Sequence, residues 1–88
     1  MAAPIDRLTF VNLTETGTET DYVNKNYISI INNSGEAITI KNSNDGYAGV
    51  ISLLDKQNME LKASAGFTLP TIRITTSSGS INVSVSYS

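Results

Sequence analysis

The sequence predicts an all-β fold, a small antiparallel β-sandwich or partly open barrel of six to eight short strands. Three observations point there. β-branched residues recur at period two in several runs, most clearly in residues 71–87, TIRITTSSGSINVSVSY, and that period marks half-buried strands. Turn residues (Gly, Asn, Asp, Ser) separate these runs at intervals of about 8–12 residues, the spacing of small antiparallel folds. Ser, Thr and Asn make up about a third of the chain, interleaved with Ile, Val and Leu; a sheet whose outer face is neutral and hydrogen-bonding has this composition. The 88 residues form a single β domain, with residues 1–6 as an N-terminal arm.

Pro4 discourages a regular start in the arm, because it lacks a backbone donor. Residues 7–13, RLTFVNL, read as a strand with apolar residues on both sides, Leu8 and Phe10 on one and Val11 and Leu13 on the other, so it is either central to a two-layer packing or covered by a partner. Residues 14–21, TETGTETD, contain no apolar side chain and read as a solvated loop. Its acids Glu15, Glu19 and Asp21 are a conceivable calcium set, but no spacing fixes one. Residues 22–42 read as a hairpin closed by Asn33-Ser34-Gly35, with Ile30 opposite Ile38 and Ile28 opposite Ile40. Residues 42–49 are turn-rich and pivot on Asp45-Gly46. As an EF-hand loop this segment fails: with Gly46 at the glycine position, Lys41 and Ser52 occupy the first and last ligand positions.

Residues 50–63, VISLLDKQNMELKA, contain good helix formers, with Ser52 as a candidate cap and Gly66 as a stop. Met59, Leu61 and Ala63 alternate with Glu60 and Lys62, however, and residues 55–58 are polar. Strand-turn-strand is the favoured reading over a helix. After a turn at Ser64-Ala65-Gly66, the final stretch reads as a second hairpin around Ser77-Ser78-Gly79-Ser80. In it Ile74 opposes Val83 and Ile72 opposes Val85, with Ile81 and Tyr87 on the same apolar face.

The chain has neither cysteine nor histidine. Disulfides and soft-metal sites need them. A chain of this size buries only about 60–65% of its unfolded surface, so an unstapled domain favours an intracellular origin or support from oligomerisation. The formal charge is −2, with no basic patch, so no nucleic-acid partner is expected. The start, MAAPIDRL, has the features of no secretory signal. No apolar run approaches the roughly 20 residues of a membrane span, so no membrane partner is expected. Ser-His and Cys-His catalysis is excluded by composition. A Ser-Lys pair stays open, although Lys25, Lys41, Lys56 and Lys62 all sit in polar, solvated contexts. A chain this short also has little room for a pocket of about 300–1,000 Å³. The expectation is a protein with no catalytic residue, no cofactor and no metal. The N-x-Ser/Thr triplets at Asn12, Asn32 and Asn82 read as incidental, and the tyrosines Tyr27 and Tyr87 as parts of the core or its rim.

The pieces ISIINNSGEAITI, GVISLLDKQNMELKA and TLPTIRITTSSGSINVSVSYS follow one another over about two thirds of the chain. Their texture and order resemble small accessory structural proteins of tailed-bacteriophage virions. The resemblance implies a short sandwich that decorates capsids, anchors head fibres or joins head and tail parts. It implies a homo-oligomer whose other partners are capsid or tail components, located in the virion after assembly in the host cytoplasm. Expected contact elements are the arm with Arg7, the 14–21 loop with Glu15, Glu19 and Asp21, an exposed sheet edge, and the outer face of 71–87 with Arg73, Ser84 and Ser86. The competing reading is a small carbohydrate-binding or adhesin-type module, with Tyr47 and the 42–49 loop as the sugar platform.

Overall fold

A computed structural model describes residues 8–13, 19–76 and 82–88. Among them run eight strands: β1 (Thr9–Leu13), β2 (Glu19–Tyr22), β3 (Tyr27–Asn32), β4 (Ile38–Asn42), β5 (Ile51–Leu53), β6 (Asn58–Lys62), β7 (Ile72–Thr75) and β8 (Val83–Tyr87). A short 3-10 turn covers Ser43–Asp45. The strands form two four-stranded sheets, ordered β1-β8-β3-β6 and β2-β7-β4-β5. Every neighbouring pair is antiparallel.

The pairing follows a simple rule. β1 pairs with β8, β2 with β7, β3 with β6 and β4 with β5, so partners mirror one another about the 43–50 connection. The chain is one long hairpin that rolls up when β8 also pairs with β3 and β7 with β4. This strand order is that of the eight-stranded jelly roll. The pivot of the long hairpin is the turn expected at Asp45-Gly46. Gly46 adopts φ +67, the Asn42 side chain accepts from Asn44 N at 2.9 Å, and Asp45 Oδ2 accepts from Gly49 N at 2.9 Å. Ser43 N donates to Thr71 O and Thr71 N donates to Ser43 Oγ, both at 3.0 Å, which pins the turn to the start of β7.

The core lies between the sheets. Ile28, Ile30, Val83 and Val85 from the first sheet meet Ile38, Ile40, Leu53, Ile72 and Ile74 from the second. Period-two alternation puts these side chains on the inner faces, and burying each contributes about 1.5–3 kcal/mol. Tyr22 completes the core at 6% exposure and packs against Tyr87, with ring centroids 5.2 Å apart.

Two expectations about pairing are overturned. Residues 28–40 and 72–85 do supply matched apolar faces, but neither pair forms a hairpin. β3 and β4 lie in opposite sheets, as do β7 and β8. Their apolar residues face one another across the core. The reason is edge occupancy: β3 has β6 on one side and β8 on the other, and β8 has β3 and β1, so no edge remains for the chain neighbour. The Gly79 loop and Ile81 lie outside the described residues. The 50–63 segment is strand-turn-strand as expected, with Lys56 at φ +69 in the turn. It too crosses between sheets. The solvated loop expected over 14–21 is corrected at its end, where Glu19, Thr20 and Asp21 belong to β2. Their charges face outward while Thr20 and Tyr22 pair with Ile74 and Ile72 of the inward face. The turn at Ser64-Ala65-Gly66 is present, with Gly66 at φ +83 and Phe67 N donating to Ser64 O at 2.9 Å.

The crossing connections are tied by Asn32, which is fully buried at the end of β3. Its Nδ2 donates to Glu36 O at 2.7 Å and to Leu53 O at 2.9 Å. Its Oδ1 accepts from Ser34 N at 3.0 Å and from Ser34 Oγ at 2.6 Å. Its backbone N donates to Gln57 O at 2.9 Å, and its backbone O accepts from Lys56 N at 2.7 Å. One residue therefore holds both the 33–37 and the 54–57 crossings. Asn32→Ala is expected to lower stability by about 2–4 kcal/mol, because it strands buried carbonyl groups and leaves a void. Urea unfolding followed by circular dichroism measures this; a loss below about 1 kcal/mol would refute the role.

The Tyr22 hydroxyl is buried with no hydrogen-bond partner among the described residues. Burial, and then the neighbouring Tyr87 phenol, push its pKa above the ordinary value of 10.0. A raised folded-state value means that its stability contribution is whole below pH 10 and is lost as pH rises through the folded value. Tyr22→Phe should therefore be neutral or stabilising at pH 7 and should flatten the alkaline fall in melting temperature.

Candidate functional site

The outer faces of the two sheets differ in chemistry. On the second sheet, β2 contributes Glu19 and Asp21, β7 contributes Arg73, and β4 contributes Thr39 and Lys41. Register sets Arg73 between Asp21 and Lys41. Arg73 Nε donates to Asp21 Oδ1 at 2.8 Å and Nη2 donates to Oδ2 at 3.1 Å, a bidentate pair. Glu19 Oε2 lies 3.6 Å from the same Nε. The guanidinium carbon sits 3.9 Å from the centroid of the Tyr47 ring, a cation–π contact. Tyr47 is held there by the 43–50 turn, at φ +65.

This cluster satisfies itself. The hydrogen bond from Arg73, helped by its charge, holds the Asp21 carboxyl below the ordinary carboxylate value, and the same bond raises the Arg73 pKa. Other acids also bond within the fold. Asp45 accepts from Gly49 N, Asp55 Oδ1 from Gly35 N at 2.9 Å, and Glu60 Oε2 from the Tyr27 hydroxyl at 3.0 Å. No group of three or more acidic side chains able to hold a metal ion occurs among the described residues.

The outer face of the first sheet is neutral at its centre. Register gives two rows across the four strands. One runs Phe10, Ser86, Ser29, Glu60 and the other runs Asn12, Ser84, Ile31, Asn58. Serines occupy the middle strands, so the backbone lies close to the surface. Phe10 stands beside them on edge strand β1 at 74% exposure, and Ile31 is exposed as well. At one end of this face an open furrow of about 850 Å³ runs between Leu8, Tyr27, Lys62, Phe67 and Ser88. A second recess, of about 420 Å³, opens the core between the sheets at Ile40, Ile51, Met59, Leu61 and Leu69. The chain thus has more concave surface than its length suggests.

The expected contact residues do not form one patch. Arg73 was expected to share an outer face with Ser84 and Ser86, but β7 and β8 lie in different sheets, so those residues are on opposite sides of the sandwich. Glu19, Asp21 and Arg73 come together, and Ser84 and Ser86 lie on the other side. Arg7 and Glu15 lie outside the described residues. Phe10 and Ile31 were not among the expected contact residues, although alternation sets Ile31 with Tyr27 and Ser29 opposite the buried Ile28 and Ile30. No helix among the described residues is long and apolar enough to cross a membrane.

The depressed Asp21 value makes the Arg73 pair acid-sensitive. Its contribution is complete above the ordinary carboxylate value of 3.8 and is lost as pH falls through the lower folded value. The pair is exposed, so the effect is small. Asp21→Asn should melt below the wild type at pH 7, and the difference should narrow as pH falls below 3.8; a constant difference across that range would contradict the pairing. Comparison of the chain with protein-family models, with curated proteins and with solved structures finds no match.

Proposed function

We propose that this protein is a non-enzymatic structural component of a phage virion, a capsid-associated or head/tail accessory part that works through protein–protein contacts. The observation that carries the reading is the jelly-roll strand order, an architecture used by viral capsid domains. This support is by analogy of fold, and it agrees with the resemblance of residues 28–88 to accessory virion proteins. The surface chemistry favours the same reading. The outer face of the first sheet offers Ser84, Ser86, Ser29 and Asn12 around exposed Phe10 and Ile31. Such a surface meets a partner without desolvating charges. On the opposite face Glu19, Asp21 and Arg73 are already paired with one another, so they have less to offer a partner.

Jelly rolls also serve as lectins. Here the Tyr47 ring is covered on one face by Arg73 at 3.9 Å, which reduces its use as a sugar platform. The virion reading therefore leads over the carbohydrate-binding one.

Purified particles of the phage encoding this chain should contain it in stoichiometric amount. A Ser84→Lys, Ser86→Lys double variant should keep its circular dichroism spectrum and lose at least about tenfold in particle occupancy, since charges would be buried against the partner. Absence of the wild-type protein from the particles would refute the reading, and normal occupancy by the variant would move the contact off this face.

A further inference from the structure

A β-sandwich exposes four edge strands, here β1 and β6 in the first sheet and β2 and β5 in the second. An unpaired edge invites another strand, and folds that stay monomeric protect such edges with charges, proline, bulges or shortness. Three of these four edges have such protection. β2 carries Glu19 and Asp21, β6 carries Glu60 and Lys62, and β5 is three residues long. β1 has none of it: its five residues, Thr9, Phe10, Val11, Asn12 and Leu13, include no charge and no proline. Its register with β8 is unbroken by a bulge. Among the described residues, no strand pairs with its other side.

From this we infer that β1 is a self-association edge, at which a second copy of the chain adds its own β1 antiparallel, joining the two first sheets into one eight-stranded sheet. Charge decides the occupant. An antiparallel pairing of two β2 edges sets Glu19 and Asp21 of one copy against the same acids of the other. Two β6 edges centred on Glu60 oppose like charges directly. Two β1 edges meet with no charge at all. In a twofold pairing centred on Val11, Val11 faces Val11, Thr9 faces Leu13 and Phe10 faces Asn12 of the second copy, an isologous arrangement. The two Phe10 rings are then diagonal neighbours on the outer face, about 7–8 Å apart at the backbone and within aromatic reach. This gives a use to the most exposed of the large apolar side chains described, Phe10 at 74%. A five-residue edge buries less than the roughly 800 Å² per partner of a standard stable complex, so the contact is weak and concentration-dependent, as suits a part assembled in many copies.

The inference names a partner for the assembly reading, and it can fail separately from it. Sedimentation equilibrium on the full chain should show reversible self-association below about 1 mM. Phe10→Lys, Asn12→Lys and Phe10→Glu, Asn12→Glu double variants should each be monomeric, because like charges then face one another twice across the twofold. Mixed in equal amounts, they should associate at least about tenfold more strongly than either alone. Circular dichroism and a cooperative melt check that each is folded. Should either fail to fold, Phe10→Ser should weaken wild-type association at least fivefold. A wild type that is monomeric at about 1 mM, lysine variants that self-associate normally, or a mixture of folded variants that stays monomeric would each overturn the inference. A protein that self-associates through β1 but is missing from virions would refute the functional reading and leave the edge contact standing.

Discussion

The buried amide of Asn32 ties the two sheets together where the chain crosses between them. Taking an amide out of water costs several kcal/mol unless its bonding capacity is met. Here both donors and the acceptor are used, on Glu36 O, Leu53 O and Ser34. Those partners belong to the two chain segments that leave one sheet for the other. These bonds tie the end of β3 to the end of β5 in the opposite sheet and to the 33–37 crossing. β8 lies between β3 and β1, and β1 is the longer of the two uncharged edges.

Electrostatics divides the surface of this small sandwich. The second sheet gathers Glu19, Asp21, Arg73 and the Tyr47 ring into a self-contained cluster. Such exposed pairs add little stability, but together with Lys41 beside Arg73 they balance the charges on this face. The first sheet carries serine and asparagine through its centre and a phenylalanine at its margin. A flat face with small side chains lets another backbone approach closely, and a neutral edge lets a strand add without repulsion. Both features lie on the same sheet, and they share Phe10 and Asn12.

Much of the fold was legible in the sequence. Alternation identified the strands and told which residues point inward: Ile28, Ile30, Ile38, Ile40, Ile72, Ile74, Val83 and Val85 are all buried. Gly35 and Gly46 marked turns that need a left-handed residue. The pairing was not legible, because a period of two fixes which side chains share a face but not which strand lies alongside. Two apolar faces are buried equally well side by side or across a core. Asn32 looked like any strand asparagine, since its partners are 21 residues and more away or hidden in a turn. Tyr22 was obscured by the acids before it, although their outward alternation with Thr20 and Tyr22 is itself a strand pattern. The Arg73–Asp21 pair spans 52 positions of sequence, and only the rolled topology brings it together.

The rolled hairpin is the claim that everything else rests on, and backbone nuclear Overhauser effects on labelled protein test it most directly. The account predicts interstrand contacts from Val85 to both Val11 of β1 and Ile30 of β3, and from Ile74 to Thr20 and Ile40. Backbone contacts between Ile74 and Val83, as in a simple C-terminal hairpin, would contradict it.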